Sequence, residues 1–377
     1  MVSRKLSKAI QRAVSKAPSI ESVWRGPLDG ITQSMLSEFL ICRERFRIRV
    51  VDGLRVKEGF NHALEFGNYW HLCEESLGIG GPNGSGDRPW EPRLEGYVKS
   101  LCRRYPFQQE QIVHWMNICL VQFPIYLDYW AKHADEEVKS PIMSEQVFRV
   151  PYCLPSGRVV ALRGKWDGVN SLGSSKDSPV YLQENKTKGE IDEEAMRMRL
   201  SFDLQTMFYL VALKMGGKEY GIDPAQVRGV HYNVVRRPLS GGRHSIRQRQ
   251  PTKTNPSGES FQEFYARLAE EIASEPAYFF MRWRAEIDSS DVYQFRRRFL
   301  DPILEQLCDW WEWICSHESP FEMPKKGGKS SPHWITPYGL WNPMANNRGT
   351  EIDEYLRTGS TLGLEKVETL FGELEDA

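Results

Sequence analysis

The chain has 377 residues, 40% hydrophobic and 26% charged, with all three aromatic types present. This is a globular profile, long enough to bury a sizeable core, and it excludes a disordered or collagen-like chain. Lys and Arg number 49 against 50 Asp and Glu, a net charge of −1, so a uniformly basic coat is excluded and any nucleic-acid contact falls to a local patch.

Residues 1–30 open with Arg4, Lys5, Lys8, Arg12 and Lys16 and read as a basic tail. Thr32 can cap a helix beginning Gln33-Ser34-Met35-Leu36. A second helical pattern runs from about Ala63 to Leu77, and the glycine-rich stretch 78–86 ends it in a loop. Residues 93–133 read as two aromatic-rich helices, which places a helical insertion at about 80–140. Strand patterns follow at Gln146–Cys153, Arg158–Val169 and Val180–Thr187, separated by turn formers, with another at Val227–Val235. Asp192 is expected to start one long helix to about Met215, with Glu193 and Glu194 in its first turn. Residues 258–275 and 289–316 read as helices, and acidic Glu351–Ala377 as a peripheral helix or tail. The seven cysteines, an odd number scattered from Cys42 to Cys315, form no disulfide framework and fit a reducing, cytoplasmic setting. No apolar run reaches the roughly 18–20 residues needed to span a bilayer.

The most informative stretch is Leu182-Gln183-Glu184-Asn185-Lys186. On a strand, Glu184 and Lys186 share a face and Asn185 takes the other. A carboxylate beside an ammonium suits metal-assisted phosphodiester hydrolysis: the carboxylate binds a hard divalent cation, and the lysine positions or deprotonates the attacking water. The same pattern is also that of a surface ion pair, so its neighbours decide. Asp167, in Gly164-Lys165-Trp166-Asp167-Gly168-Val169, is an acid in an otherwise apolar strand, and a hairpin would bring it beside Glu184 on one ion. Gly67 and His71 lie one helical turn apart, as do Gln205 and Tyr209. The glycine leaves room for a close neighbour, so that His71 can reach a metal, while the tips of Gln205 and Tyr209 can face the same cleft. From Pro224 to Gly258 there is no acid, and Arg228, Arg236, Arg237, Arg243, Arg247, Arg249 and Lys253 are there to track phosphates, with Arg197 and Arg199 extending the patch.

Gly-x-x-x-His, Asp, Glu-x-Lys and Gln-x-x-x-Tyr, in that order, resemble the PD-(D/E)-x-K nuclease superfamily, and within it the RecB-like branch with phage exonucleases. The resemblance covers roughly residues 31–320 and leaves 321–377 as a C-terminal extension. It implies an α/β fold: a restriction-endonuclease-like core in which a small mixed sheet is flanked by helices. It implies His71, Asp167, Glu184 and the Asn185 carbonyl as ligands of Mg²⁺ or Mn²⁺. Lys186 would be the catalytic lysine, and Gln205 and Tyr209 DNA-side or supporting residues. Trp166 stands where the motif name has proline. The implied activity is hydrolysis of DNA, as an exonuclease in phage or mobile-element recombination, repair or defence, with a recombination or helicase partner. The rivals are a non-catalytic DNA-binding scaffold on the same fold and a restriction- or repair-type endonuclease.

Many RecB-like relatives hold an iron–sulfur cluster with one cysteine before the core and three after it. Cys42 sits where the first would be, but Ile335 and Asn342 stand where later ones are expected, and Cys308 and Cys315 read as helix packing. No iron–sulfur cluster is expected. Apolar contacts from Trp310, Trp311, Trp313 and Trp341 are expected to join the chain ends instead.

Overall fold

In the computed structural model, residues 22–316 and 360–374 are described, apart from breaks at 58, 81–87, 134–138, 174, 176, 202, 239–245 and 255. Five strands form one sheet in the order β2-β3-β4-β5-β6. They are β2 (Lys139–Cys153), β3 (Val159–Leu172), β4 (Val180–Lys188), β5 (Val227–Arg236) and β6 (Phe280–Glu286). β4 and β5 run parallel, and the other neighbours are antiparallel. A parallel pair needs a crossover, supplied by α6 (Glu193–Ser201) and α7 (Leu204–Gly216). The sheet is therefore mixed and flanked by helices, as the resemblance implies.

Two apolar cores flank it. The first packs sheet residues such as Leu182, Val230 and Val234 against α7, α1 (Gln33–Ile41) and α11 (Asp301–Ser316). The second joins α3 (His62–Gly80), α4 (Trp90–Arg104), α5 (Gln109–Lys132) and α8 (Phe261–Ser274) around Phe66, Trp70, Trp115, Phe123 and Phe264. Thr32 caps α1 by accepting the Met35 N–H at 3.2 Å. No helix among the described residues is long and apolar enough to cross a membrane.

Several elements differ from the sequence expectation. The helix expected from Asp192 to Met215 is two, because Asp203 adopts an extended conformation and its carboxylate accepts the Gln205 N–H at 3.1 Å. Aspartate competes well for such N-cap positions, and the break places Gln205 in the first turn of α7. β6 lies in a stretch the pattern left unassigned. Part of the expected basic tail is core: Trp24 is fully buried, donates to the Gly30 carbonyl at 2.7 Å, and its ring lies 4.9 Å from that of Trp311. Trp310 in turn lies 5.4 Å from Phe46 and 5.7 Å from Phe39. Residues 364–366 are not a peripheral helix but a short strand, β7 (Leu364–Lys366), paired with β1 (Leu54–Val56). Buried Phe371 follows under the Arg163 guanidinium, 4.0 Å away. Ile335, Trp341 and Asn342 lie outside the described residues.

Candidate active site

The site forms where the sheet divides. β3 and β4 pair only from Gly168↔Gln183 to Ser171↔Val180. Beyond that point β3 continues with β2 and β4 with β5. Asp167, the first β3 residue past the division, replaces a ladder bond with its side chain: Oδ2 accepts the Asn185 N–H at 2.8 Å. The hairpin thus sets Asp167 beside Glu184, as expected from the sequence.

Three side chains converge there: ligand atoms of His71, Glu145 and Asp167 lie within 4.8 Å of one another. His71 Nδ1 is 3.7 Å from Glu145 Oε1 and 3.9 Å from Asp167 Oδ1. His71 reaches the strands because α3 sits close to β4. A Cβ built on Gly67, one turn before His71, would lie 3.3 Å from Thr187 Oγ1.

Glu184 is buried, at 1% exposure. Its Oε1 accepts from Lys186 Nζ at 2.5 Å and from Gln205 Nε2 at 2.6 Å, and Lys186 also donates to Gln205 Oε1 at 2.8 Å. The carboxylate, ammonium and amide therefore hold one another in a closed triangle. Asn185 points away, its Oδ1 accepting from Asn233 Nδ2 at 3.0 Å and Gln183 Nε2 at 3.2 Å. Asn233 donates in turn to Tyr126 of α5 at 2.8 Å and Glu74 of α3 at 3.2 Å. This ties β4 to the helical insertion. The alternation read from the sequence, Glu184 and Lys186 on one face and Asn185 on the other, is what the bonds show.

The electrostatics are those of a crowded anionic pocket. Burial raises the Glu184 carboxyl to about 7; Lys186 draws it down and Asp167 pushes it up. Asp167 is also raised, by burial and by Glu145, against the pull of His71. Burial opposes the His71 imidazolium, yet Asp167, Glu145 and Glu184 raise it to about 9. Tyr209 is half-buried, and its phenol is pushed up by burial and by the charges of Glu184 and Asp167.

Two carboxylate oxygens, Glu184 Oε2 and Glu145 Oε1, are buried without a hydrogen-bond partner. Buried polar atoms are normally satisfied, and an unpaired carboxylate oxygen is costly in low dielectric. Three carboxylates, two of them with unspent oxygens, and one imidazole that ligates once a cation displaces its proton form a donor set suited to a hard or borderline divalent cation. His71, Glu145, Asp167 and Glu184 are the residues that would hold it.

Glu145 was not among the expected ligands. It stands opposite Asp167 on β2, outside the strand read as starting at Gln146, and it pairs with Lys165 Nζ at 2.5 Å. Its φ of 49° is left-handed, a conformation that non-glycine residues seldom adopt and that often marks functional sites. No spacing rule in the sequence signals this position.

The expected DNA-contacting arginines that are described take different places. Arg197 is exposed and paired with Glu193 at 2.6 Å. Arg228 is exposed at the start of β5, four residues before Tyr232, which is level with Glu184. Arg236 is buried, donates to the carbonyls of Tyr278 and Ile191 at 3.2 Å each, and stacks 3.9 Å from the Tyr278 ring. Its place is that of a packing residue. Arg237 follows the end of β5, and Arg243 lies outside the described residues.

No curated protein matches the chain. A family model for the PD-(D/E)XK nuclease superfamily matches residues 31–284, more than half of the chain and the span that contains His71, Glu145, Asp167, Glu184, Lys186 and Gln205. The chain therefore belongs to the PD-(D/E)XK nuclease superfamily, whose members are hydrolytic nucleases.

Proposed function

We propose that the protein is an Mg²⁺- or Mn²⁺-dependent deoxyribonuclease of RecB-like type that degrades DNA from an end. The observation that carries this reading is the pairing of two kinds of group in one buried pocket. Carboxylate oxygens of Glu145 and Glu184 are left unspent beside His71 and Asp167, and Lys186 is locked to the other oxygen of Glu184. A scaffold that only bound DNA would gain nothing from such a costly cluster.

His71, Glu145, Asp167 and Glu184 would hold the cation, with the Asn185 carbonyl as the further ligand that the resemblance implies. The cation would polarise the scissile phosphate and lower the pKa of a bound water. Gln205 fixes the position of Lys186, and Lys186 orients the attacking water or offsets charge developing on the phosphate. Tyr209 supports Gln205 from within the helix. The setting proposed from the resemblance is phage or mobile-element recombination, repair or defence, inside the cell and with a recombination or helicase partner.

The test uses end-labelled linear DNA and covalently closed circular DNA, with Mg²⁺ or with EDTA. Metal-dependent loss of the linear substrate with the circle left intact is the expected result. Cleavage of the circle would replace the exonuclease with an endonuclease, and no cleavage of either would overturn the reading.

A further inference from the structure

Arg237 differs from its described neighbours along the chain. Its Nε and Nη1 are buried and have no hydrogen-bond partner, whereas the guanidinium of adjacent Arg236 is spent on two backbone carbonyls and an aromatic ring. Arg267, farther along, is held by Glu259 and Glu271 at 2.7 Å. Leaving buried guanidinium donors unpaired is expensive, and the sequence alone gives no reason for it.

The surroundings of Arg237 are cationic. β4 and β5 run parallel and end together, with Lys188 level with Arg236, and the Arg237 N–H donates to the Lys188 carbonyl at 2.7 Å. Lys188 is exposed and forms no ion pair among the described residues. Partial desolvation, with Lys186, Arg199 and Arg237 nearby, holds its ammonium below the ordinary value; Asp203 opposes this. Asp203 is itself engaged in capping α7. Glu190 lies in the field of Arg236, and Asp192 accepts the Ala195 N–H at 3.0 Å. His62, stacked on Trp115 at 4.8 Å, also feels Arg237, which adds to the effect of burial in lowering its imidazole. In a chain of net charge −1, this is a local concentration of positive charge at the carboxyl ends of parallel strands, where open α/β sheets commonly bind ligands. Lys188 is two residues beyond Lys186, about 7 Å along the strand, roughly one nucleotide of backbone.

We infer that Arg237 and Lys188 form a subsite for one nucleic-acid phosphate next to the phosphate that is cleaved. The inference rests on the nuclease reading above. The guanidinium would give its two unspent donors to the phosphate oxygens, with the lysine as a second point charge.

The test is binding of the full-length protein to fluorescein-labelled duplexes in EDTA, over a range of salt, by fluorescence anisotropy. The duplexes carry either a 5′-phosphate or a 5′-hydroxyl. Arg237→Met is expected to raise Kd about tenfold and to lower the slope of log K against log salt by about one. Arg237→Lys keeps the charge, so it should keep the slope while losing part of the affinity. An equal loss on both duplexes assigns the subsite to an internucleotide phosphate, and a loss confined to the 5′-phosphate assigns it to a terminal one. Thermal melting separates a packing role: Arg237→Met should melt at or above the wild type, since an unpaired buried charge is removed. Unchanged Kd and slope, or an Arg237→Met protein that fails to fold, overturns the subsite. Absence of DNA binding by the wild type would instead overturn the nuclease reading.

Discussion

Replacing Glu184 with glutamine should stabilise the metal-free protein at alkaline pH while abolishing its activity. In the folded chain the carboxyl titrates at about 7 rather than 4.5, because burial and Asp167 outweigh the attraction of Lys186. The folded value lies above the unfolded one, so the native state binds the extra proton between these limits. The cost of ionisation is absent below about pH 4.5 and fully present above about pH 7. At about 1.4 kcal/mol per pH unit it is on the order of 3 kcal/mol. Gln205 and Lys186 already bond one oxygen of Glu184, and the amide keeps an acceptor there, so Glu184→Gln should recover much of that energy. The assay is urea unfolding in EDTA at pH 5, 6, 7 and 8. The variant's advantage should be small at pH 5, grow through pH 7 and level off at pH 8. Adding Mn²⁺ should reverse the order, since binding to the native state stabilises only the protein that keeps its ligands. A variant less stable than the wild type at pH 8, or an advantage that does not vary with pH, would refute this account of the pocket.

Other outcomes follow from the same geometry. Glu145→Gln should reduce the thermal stabilisation by Mn²⁺ while leaving DNA binding in EDTA unchanged; an undiminished metal response in a melting assay would remove Glu145 from the ligand set. Asn233→Leu removes the bonds to Asn185, Tyr126 and Glu74 and should cost about 2 kcal/mol. It should lower kcat with KM nearly unchanged, and steady-state kinetics beside urea unfolding checks both. Arg267 and the Arg249 N–H hold Glu259 at about 2, well below its ordinary 4.5. Its contribution is present above about pH 4.5 and lost as the pH falls toward 2. The Tm difference between wild type and Glu259→Gln should therefore shrink between pH 5 and pH 3.

What the sequence made legible is what strand and helix periodicity can carry. Glu184, Lys186 and Asn185 alternate on one strand, and Gly67 and His71 recur on one helix face. These local rules place the side chains wherever the elements themselves form. Glu145 lies beyond such rules, because its role depends on β2–β3 register and on a left-handed backbone at one position. The break before α7 rests on Asp203 winning a cap, which competes closely with continued helix. β7 has three residues and is defined by its partner β1, 308 positions earlier at closest register. Arg236 and Arg237 are neighbours of the same type, and only the tertiary structure shows that one is spent on carbonyls while the other keeps its donors.

If Asp167, Glu184 and Lys186 carry out metal-dependent hydrolysis of DNA, loss of any one of them ends cleavage. The most direct measurement is cleavage of labelled linear DNA by the wild type and by Asp167→Ala, Glu184→Ala and Lys186→Ala, with binding and folding measured alongside. The wild type should cleave in Mg²⁺ or Mn²⁺ and not in EDTA. None of the three variants should cleave, each of them still folded and DNA-bound, with metal binding spared in Lys186→Ala. Full cleavage by purified Glu184→Ala protein would contradict this assignment.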